Sequence, residues 1–323
     1  MSYIPAIMDP AQLDRLYTGL NTQFLSLYGK STKWSSKVCT VVNSDTAQME
    51  YPIFANNVRM TEWNSGRVTN QMSLFTQIIK AKRYQASIEC NRDFIRDALR
   101  NGSSMEALGL QIQELAYAAD KFEDTLAGTL ILSGAVSRCY DGQFFFDAAH
   151  PIDPAGTISG TQPNLHTAKP LNAASYDFVR SIRASRLGAD GTPLNLASNV
   201  LIVPPQLEGE ARRLLNGELI GASQLTANGG ASSNIGAASN IWVNTAEIVV
   251  APELASEPLN WYLGDLSSPM KPFLLQKNGA PEFTRQDSPE AECVYDRNAN
   301  RYGVSCRYGA GFARWAQIDK ALG

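Results

Sequence analysis

Leu13, Leu16, Tyr17, Leu20, Phe24 and Leu27 recur at steps of three, one and four, the period of an amphipathic helix. A Lys, Ser and Thr-rich run through Lys30, Lys33 and Lys37 follows and reads as an extended polar arm; the helix before it needs something to lie against. From Gln48 to about Glu89 the texture becomes β-like. Tyr51-Pro52-Ile53-Phe54 and Leu74-Phe75-Thr76-Gln77-Ile78-Ile79 flank a polar, Gly-containing stretch, which predicts a long hairpin. A two-stranded ribbon is only marginally stable alone, and this tip carries Val58, Met60, Trp63 and Arg67. The tip therefore suits contact with another molecule; the plain alternative is an ordinary surface hairpin.

A short helix over Asp93–Arg100, closed by Asn101-Gly102, precedes the clearest helical signal. Ser103-Ser104-Met105-Glu106 has the form of a capping box. Behind it Met105, Leu108, Ile112, Leu115, Ala119, Phe122, Leu126 and Leu130 mark one apolar seam running almost to Gly134. Gly109 and Gly128 interrupt this pattern and argue against a coiled coil. Cys139 to Leu171 is irregular, with Phe144-Phe145-Phe146 at its aromatic centre. A helix capped by Ser175 is predicted to end at Leu187 before Gly188; Asn199–Val203 reads as a buried strand, and Pro204-Pro205 opens a helix that stops at Asn216-Gly217. Of the 20 residues from Gly221 to Asn240, 16 are Gly, Ala, Ser or Asn, too few apolar groups for a core, so a loop is predicted. Ile241–Pro252 resumes as β-structure. In the last quarter, short apolar runs between Pro, Gly and Asn turns predict an antiparallel sheet, Val294-Tyr295-Asp296 among its strands.

At 323 residues the chain predicts two or so domains, and 44% hydrophobic residues support a packed core for each. Charged residues make up only 18%, below the roughly 25% of ordinary soluble domains. That suits either surfaces covered by neighbouring subunits or a neutral polar surface. A net charge of −3 excludes a uniformly basic nucleic-acid binder, so any DNA contact is local. Nothing resembles a signal peptide or a membrane span. Five scattered cysteines without C-x-x-C spacing read as reduced, buried thiols. With two histidines, a histidine metal site is nearly excluded. His150 lies between Asp147 and Asp153, with Ser159 nearby, but has no Gly-x-Ser-x-Gly elbow and reads as a turn histidine. Phosphate loops and calcium loops are absent. No catalytic residue, metal or cofactor is predicted. Arg180, Arg183 and Arg186 form a candidate basic stripe. Lys80, Lys82, Arg83, Arg92, Arg96 and Arg100, mixed with Glu89, Asp93 and Asp97, suit salt bridges between subunits.

The order Trp261-Tyr262-Leu263, Pro269-Met270-Lys271-Pro272-Phe273-Leu274-Leu275-Gln276, Pro281-Glu282-Phe283-Thr284, Tyr302-Gly303-Val304 and Gly309-Ala310-Gly311-Phe312-Ala313-Arg314-Trp315 resembles the C-terminal part of the major head subunit of Mu-like tailed phages. The resemblance implies an α+β chain with the Hong Kong 97 capsid fold. Its parts would be an N-terminal arm (1–46), an extended hairpin loop (47–90), a peripheral domain with a long spine helix (91–174), an axial domain (175–258) and a return to the peripheral sheet (259–323). It further implies a major capsid protein of the virion head, assembled in the host cytoplasm as pentamers and hexamers into an icosahedral shell around double-stranded DNA. Val58, Met60, Trp63 and Arg67 would then touch a neighbour, and Arg180, Arg183 and Arg186 would face DNA through non-specific phosphate contacts. Partners would include a portal, a scaffold and, in some such heads, a decoration protein. Because the arm begins at once, a separate scaffold is expected. Some related shells link a loop lysine to an asparagine on a neighbour; between Gln48 and Ile79 there is no lysine, so a noncovalent shell is expected. The rivals are an encapsulin-like nanocompartment shell and a β-rich carbohydrate-binding or hydrolase module that stacks its ligand on Trp261, Tyr262 and Trp315.

Overall fold

The apolar steps between residues 13 and 24 form an 18-residue helix, α1 (Pro10–Leu27), which buries Leu13, Leu16, Leu20 and Phe24. The computed structural model describes residues 10–54, 60, 62, 74–101, 103–156, 158–221 and 237–323. One turn of helix, α2 (Ser35–Val38), leads into β1 (Cys39–Asn43). The predicted hairpin is present as β2 (Gln48–Phe54) paired antiparallel with β3 (Leu74–Lys80). Of its tip residues Met60 is fully exposed; Val58, Trp63 and Arg67 lie outside the described residues.

The hairpin is shorter at its base than predicted. After Lys80 the chain enters β4 (Lys82–Asn91), which pairs instead with Ala299–Tyr308 over ten residues. Alternation explains the change: Tyr84, Ala86, Ile88 and Cys90 turn inward while Arg83, Gln85, Ser87 and Glu89 face water.

Two helices follow, α3 (Arg92–Asn101) and the 31-residue α4 (Ser103–Ser133). Leu108, Ile112, Leu115 and Ala119 are buried, as the seam predicts, and α1 packs on this half. The second half departs from prediction: Asp120, Glu123, Asp124, Ala127 and Ile131 are buried there, while Phe122, Leu126 and Leu130 are half-buried. A strict three-and-four repeat drifts around a straight helix by ~20° per heptad, and the polar segment after α1 brings Lys33 to the new face. α4 runs unbroken through Gly128, where a Cβ would collide with that of Glu253. The glycine marks a close helix contact, not a break.

Beyond α4 come β5 (His150–Pro151), β6 (Thr161–Gln162) and β7 (Leu165–His166), then α5 (Ala173–Ala184). Its cap is Asn172, not Ser175: the Asn172 side chain accepts a hydrogen bond from the Ser175 N–H at 2.8 Å. The fully buried β8 (Val200–Val203) is followed by a 3-10 turn over Pro205–Leu207 and α6 (Glu208–Asn216). β9 (Leu219–Gly221) pairs with β10 (Ala237–Ser239); most of the Gly, Ala, Ser and Asn-rich stretch, 222–236, lies outside the described residues. Asn240 belongs to the packed body, its amide donating to Leu214 and Gly217 carbonyls at 2.7 and 2.6 Å.

The chain continues through β11 (Glu247–Val250), β12 (Trp261–Gly264), β13 (Phe273–Lys277), β14 (Glu282–Gln286), α7 (Glu292–Arg297), β15 (Ala299–Phe312) and β16 (Ile318–Ala321). Val294–Asp296 is therefore helix rather than strand, and Asn298 ends it in the left-handed region at φ 49°.

Nor does the last quarter make one sheet. One five-stranded sheet has the order β1-β13-β15-β14 with β4 along β15; a second has the order β11-β8-β12-β16-β7. Three pairs are parallel, β1 with β13, β11 with β8 and β16 with β7. β12 and β16 thus leave the expected antiparallel sheet for the one that holds β8. A core of α1, α4 and the inner face of the first sheet includes Phe24, Ile112, Phe283 and Tyr302. α5 and α6 cover the second sheet around Tyr176, Leu214 and Trp261. Phe145, Phe146, Phe273, Phe312 and Trp315 lie in a third core, which also contains Ile202 and Tyr262 and so joins the sheets.

Candidate functional site

The residues with catalytic potential serve the fold. His150 is buried, its Nδ1 2.5 Å from the Asp141 carboxylate and its ring stacked on Trp315 at 4.0 Å. Asp147 and Asp153, the neighbours that suggested a triad, accept the Ala149 and Ala155 N–H groups and so shape turns. Among the described residues no group of three or more His, Cys, Asp or Glu is placed to hold a metal. Trp261, Tyr262 and Trp315 are at most 4% exposed and cannot offer a stacking platform to a sugar. Cys39, Cys90, Cys139 and Cys293 are buried free thiols, and burial raises the Cys39 thiol to about 12. Among the described residues no helix is long and apolar enough to cross a membrane.

The arginine stripe is corrected most sharply. Three-residue steps on a helix turn by about 60° each, and α5 ends before Arg186. Arg183 and Arg186 are 0% and 1% exposed, and both pair with the buried Asp319 of β16. Arg183 also donates to the carbonyls of Ala197, Leu263 and Gln317; Arg186 reaches those of Pro163 and Ala316. His166 Nε2 lies 2.8 Å from Asp319 Oδ1. Burial alone would raise the Asp319 carboxyl, but the two guanidinia and His166 hold it well below the usual carboxylate range. Only Arg180 remains partly exposed, packed over Tyr176 and Trp242. These three arginines fasten α5 and its continuation to the second sheet and do not present a stripe to DNA.

A second ionic centre was not foreseen. Asp120, Glu123 and Asp124, all at most 2% exposed, receive the polar segment after α1. Lys33 pairs with Asp120 at 2.5 Å and Glu123 at 2.7 Å, Lys277 pairs with Glu123 at 2.6 Å, and the Ser35 N–H donates to Asp124 at 3.0 Å. Trp34 Nε1 donates to Glu253 at 2.9 Å, and Lys37 pairs with Glu247. The predicted extended polar arm is, over residues 31–37, a strap binding α4 to the edge of the second sheet. A sequence signal existed: three carboxylates at spacings of three and one inside an apolar seam, with lysines available upstream.

The mixed-sign run after the hairpin also makes bonds within the chain: Glu89 pairs with Arg301 at 2.7 Å and Arg297 at 3.6 Å, and Arg96 with Asp93. What remains for a partner is surface. Met49, Ile78 and Met60 on the hairpin, Leu110 and Tyr117 on α4, and Tyr295 on α7 are exposed.

This arrangement of a long helix, two five-stranded sheets and a two-stranded ribbon is accompanied by a match to the family described as "Mu-like prophage major head subunit gpT", over residues 13–170, 161–254 and 253–321. The chain belongs to that family. It is therefore a major head subunit that forms the capsid shell of a Mu-like phage, and neither a carbohydrate-binding module nor a nanocompartment subunit is favoured.

It is 21% identical over 318 residues to the "Mu-like prophage FluMu major head subunit" of Haemophilus influenzae, covering 98% of this chain and 75% of that one. It is 27% identical over 173 residues to the "Major capsid protein" of Escherichia phage Mu, covering 53% of each. The chain thus spans about half of the latter's length. Among solved structures, the procapsid of bacteriophage JBD30 matches with a TM-score of 0.60 at 22% identity, covering 98% of this chain and 76% of that one. Microbacterium phage Oxtober96 matches with a TM-score of 0.52 at 12% identity, covering 100% and 95%. These likenesses establish the α+β phage-capsid fold of the Hong Kong 97 type.

Proposed function

We propose that the subunit closes as pentamers and hexamers into an icosahedral head around double-stranded DNA, with the β2–β3 hairpin lying on a neighbouring copy. The observation that carries this reading is the apolar surface that the ribbon leaves exposed. Tyr51, Ile53 and Ile79 are buried against Leu274 and Ala313 along the paired strands, while Met49 and Ile78 stay 38% and 46% exposed and Met60 wholly so. Exposed apolar groups on a two-stranded ribbon mark a surface to be covered.

In this reading the first sheet with α1 and α4 forms the peripheral part and the second sheet with α5 and α6 the axial part. The contacts are noncovalent, because the hairpin sequence has no lysine before Lys80. Assembly proceeds in the host cytoplasm with a scaffold and a portal, and decoration is a later addition. DNA contact is non-specific and local. No catalysis is involved.

Electron microscopy of the purified protein under assembly conditions should show closed shells, rings or tubes; uniformly monomeric particles would overturn the proposal. Deleting Val58–Val68 should leave subunits that fold and melt normally but close no stable shells. Normal shells from that variant would remove the hairpin's role.

A further inference from the structure

The outer face of the first sheet contains a charge arrangement that the subunit alone does not explain. Arg83 of β4 and Arg307 of β15 are direct cross-strand partners, and like charges placed opposite each other weaken a sheet. Both line a cleft of about 710 Å³. Among the described residues neither guanidinium forms an ion pair, although Asp45 and Glu282 line the same cleft. Arg83 is exposed and Arg307 half-exposed. A second cleft of about 510 Å³ continues the groove across the sheet, sharing Gln85 and Ser305 with the first.

At the opposite end of β15 stands α7 with the turn before it. Glu290, Glu292 and Asp296 are exposed there, and Tyr295 is 88% exposed at the tip. A tyrosine with Glu292 one helical turn before it and Asp296 beside it has the composition of an interface anchor, while Arg297 of the same helix is turned to Glu89. Tyr295 cannot reach the cleft arginines of its own subunit: from Ala299 to Arg307 the strand alone runs about 26 Å. Any contact between cleft and knob is therefore one between molecules.

We infer that the α7 knob of one subunit docks in the Arg83/Arg307 cleft of the next, Tyr295 entering between the guanidinia and Glu292 and Asp296 neutralising them. This inference rests on the shell-forming role and names one of its contacts. The occupant is a second copy because the same chain carries both halves of a charge-complementary pair. The contact is heterologous, one patch meeting a different patch, so it passes from copy to copy and closes a ring when the rotation allows. It also accounts for the arginine pair, whose mutual repulsion in the free subunit is relieved on assembly.

Charge reversal on full-length protein tests it. Arg83→Glu with Arg307→Glu reverses the patch; because Asp45 and Glu282 line the same cleft, the free subunit should stay folded but melt somewhat below wild type, while the fraction of folded subunit that sediments as shells falls about tenfold or more. Glu292→Lys with Asp296→Lys should do the same from the other side. Tyr295→Ala, which removes a side chain exposed in the subunit, should also lower yield without moving the melting temperature. All four reversals in one chain should restore shells. Wild-type yield from either reversed patch would overturn the proposal, as would failure of the combined chain to recover. Normal shells that lose DNA or another component would show that the cleft serves a different partner, and would equally overturn it. Failure of the wild-type chain to form any shell would refute the assembly reading itself, which keeps the two results distinct.

Discussion

Replacing Asp319 with Ala is expected to unfold the subunit or leave it barely stable. The change strands two buried guanidinia, and breaking a buried ion pair by removing one partner costs about 3–5 kcal/mol, a large share of the ~5–15 kcal/mol typical of a whole protein. Arg183 and Arg186 would keep their carbonyl acceptors but lose their only carboxylate partner in the network. Urea titration followed by tryptophan fluorescence measures the loss. A midpoint unchanged from wild type would mean that the network is not closed as described. The pH dependence carries a definite sign. Because the folded carboxyl lies below its ordinary value, its stabilisation is complete above the unfolded pKa of about 3.9 and is lost as pH falls through the folded value. Acid unfolding below about pH 4 should therefore be shallower in Asp319→Asn than in wild type, from a lower starting stability.

The second large effect belongs to α4. Ile112→Ala or Leu115→Ala should each cost about 2–5 kcal/mol, since both side chains are buried in the core shared with α1. Phe122→Ala should cost less. Phe122 is half-buried and packs on Tyr84 at 4.5 Å and Tyr308 at 6.4 Å between ring centres. The ranking is the measurement: a greater loss at Phe122 than at Ile112 would place the buried seam where the simple repeat put it and contradict the turned face.

What was readable follows from the range of the forces. α1, α4 and the opening of α6 were legible because helix periodicity, the proline-led start of α6 and its closing Asn-Gly are local. The hairpin strands were legible for the same reason. Arg183 and Arg186 were misread because their acceptor is distant: Asp319 lies 136 residues from one and 133 from the other, and nothing beside α5 announces it. Val294–Asp296 is short enough to suit either strand or helix, and its left-handed Asn298 decides in favour of a turn of helix. Trp261–Leu263 reads as a buried strand in any sheet. Its placement beside β8 depends on pairing that a run of apolar residues does not encode. The carboxylates of α4 were passed over because an apolar seam draws attention to its apolar members.

The parallel pairing of β1 with β13 also sets a timetable. Thr40 receives the Lys271 N–H across 231 residues of sequence, and among the described residues β4 pairs with β15 alone. At roughly 5–20 residues per second, a ribosome takes on the order of 10–50 s to supply those partners after β1 has been made. α1 and the first half of α4 can associate well before then, but β1 and the amphipathic β4 wait unpaired through most of translation. High-level expression should therefore fill the host with half-made chains that aggregate unless a holding chaperone keeps pace, and slower synthesis at reduced temperature should raise the yield of competent subunits.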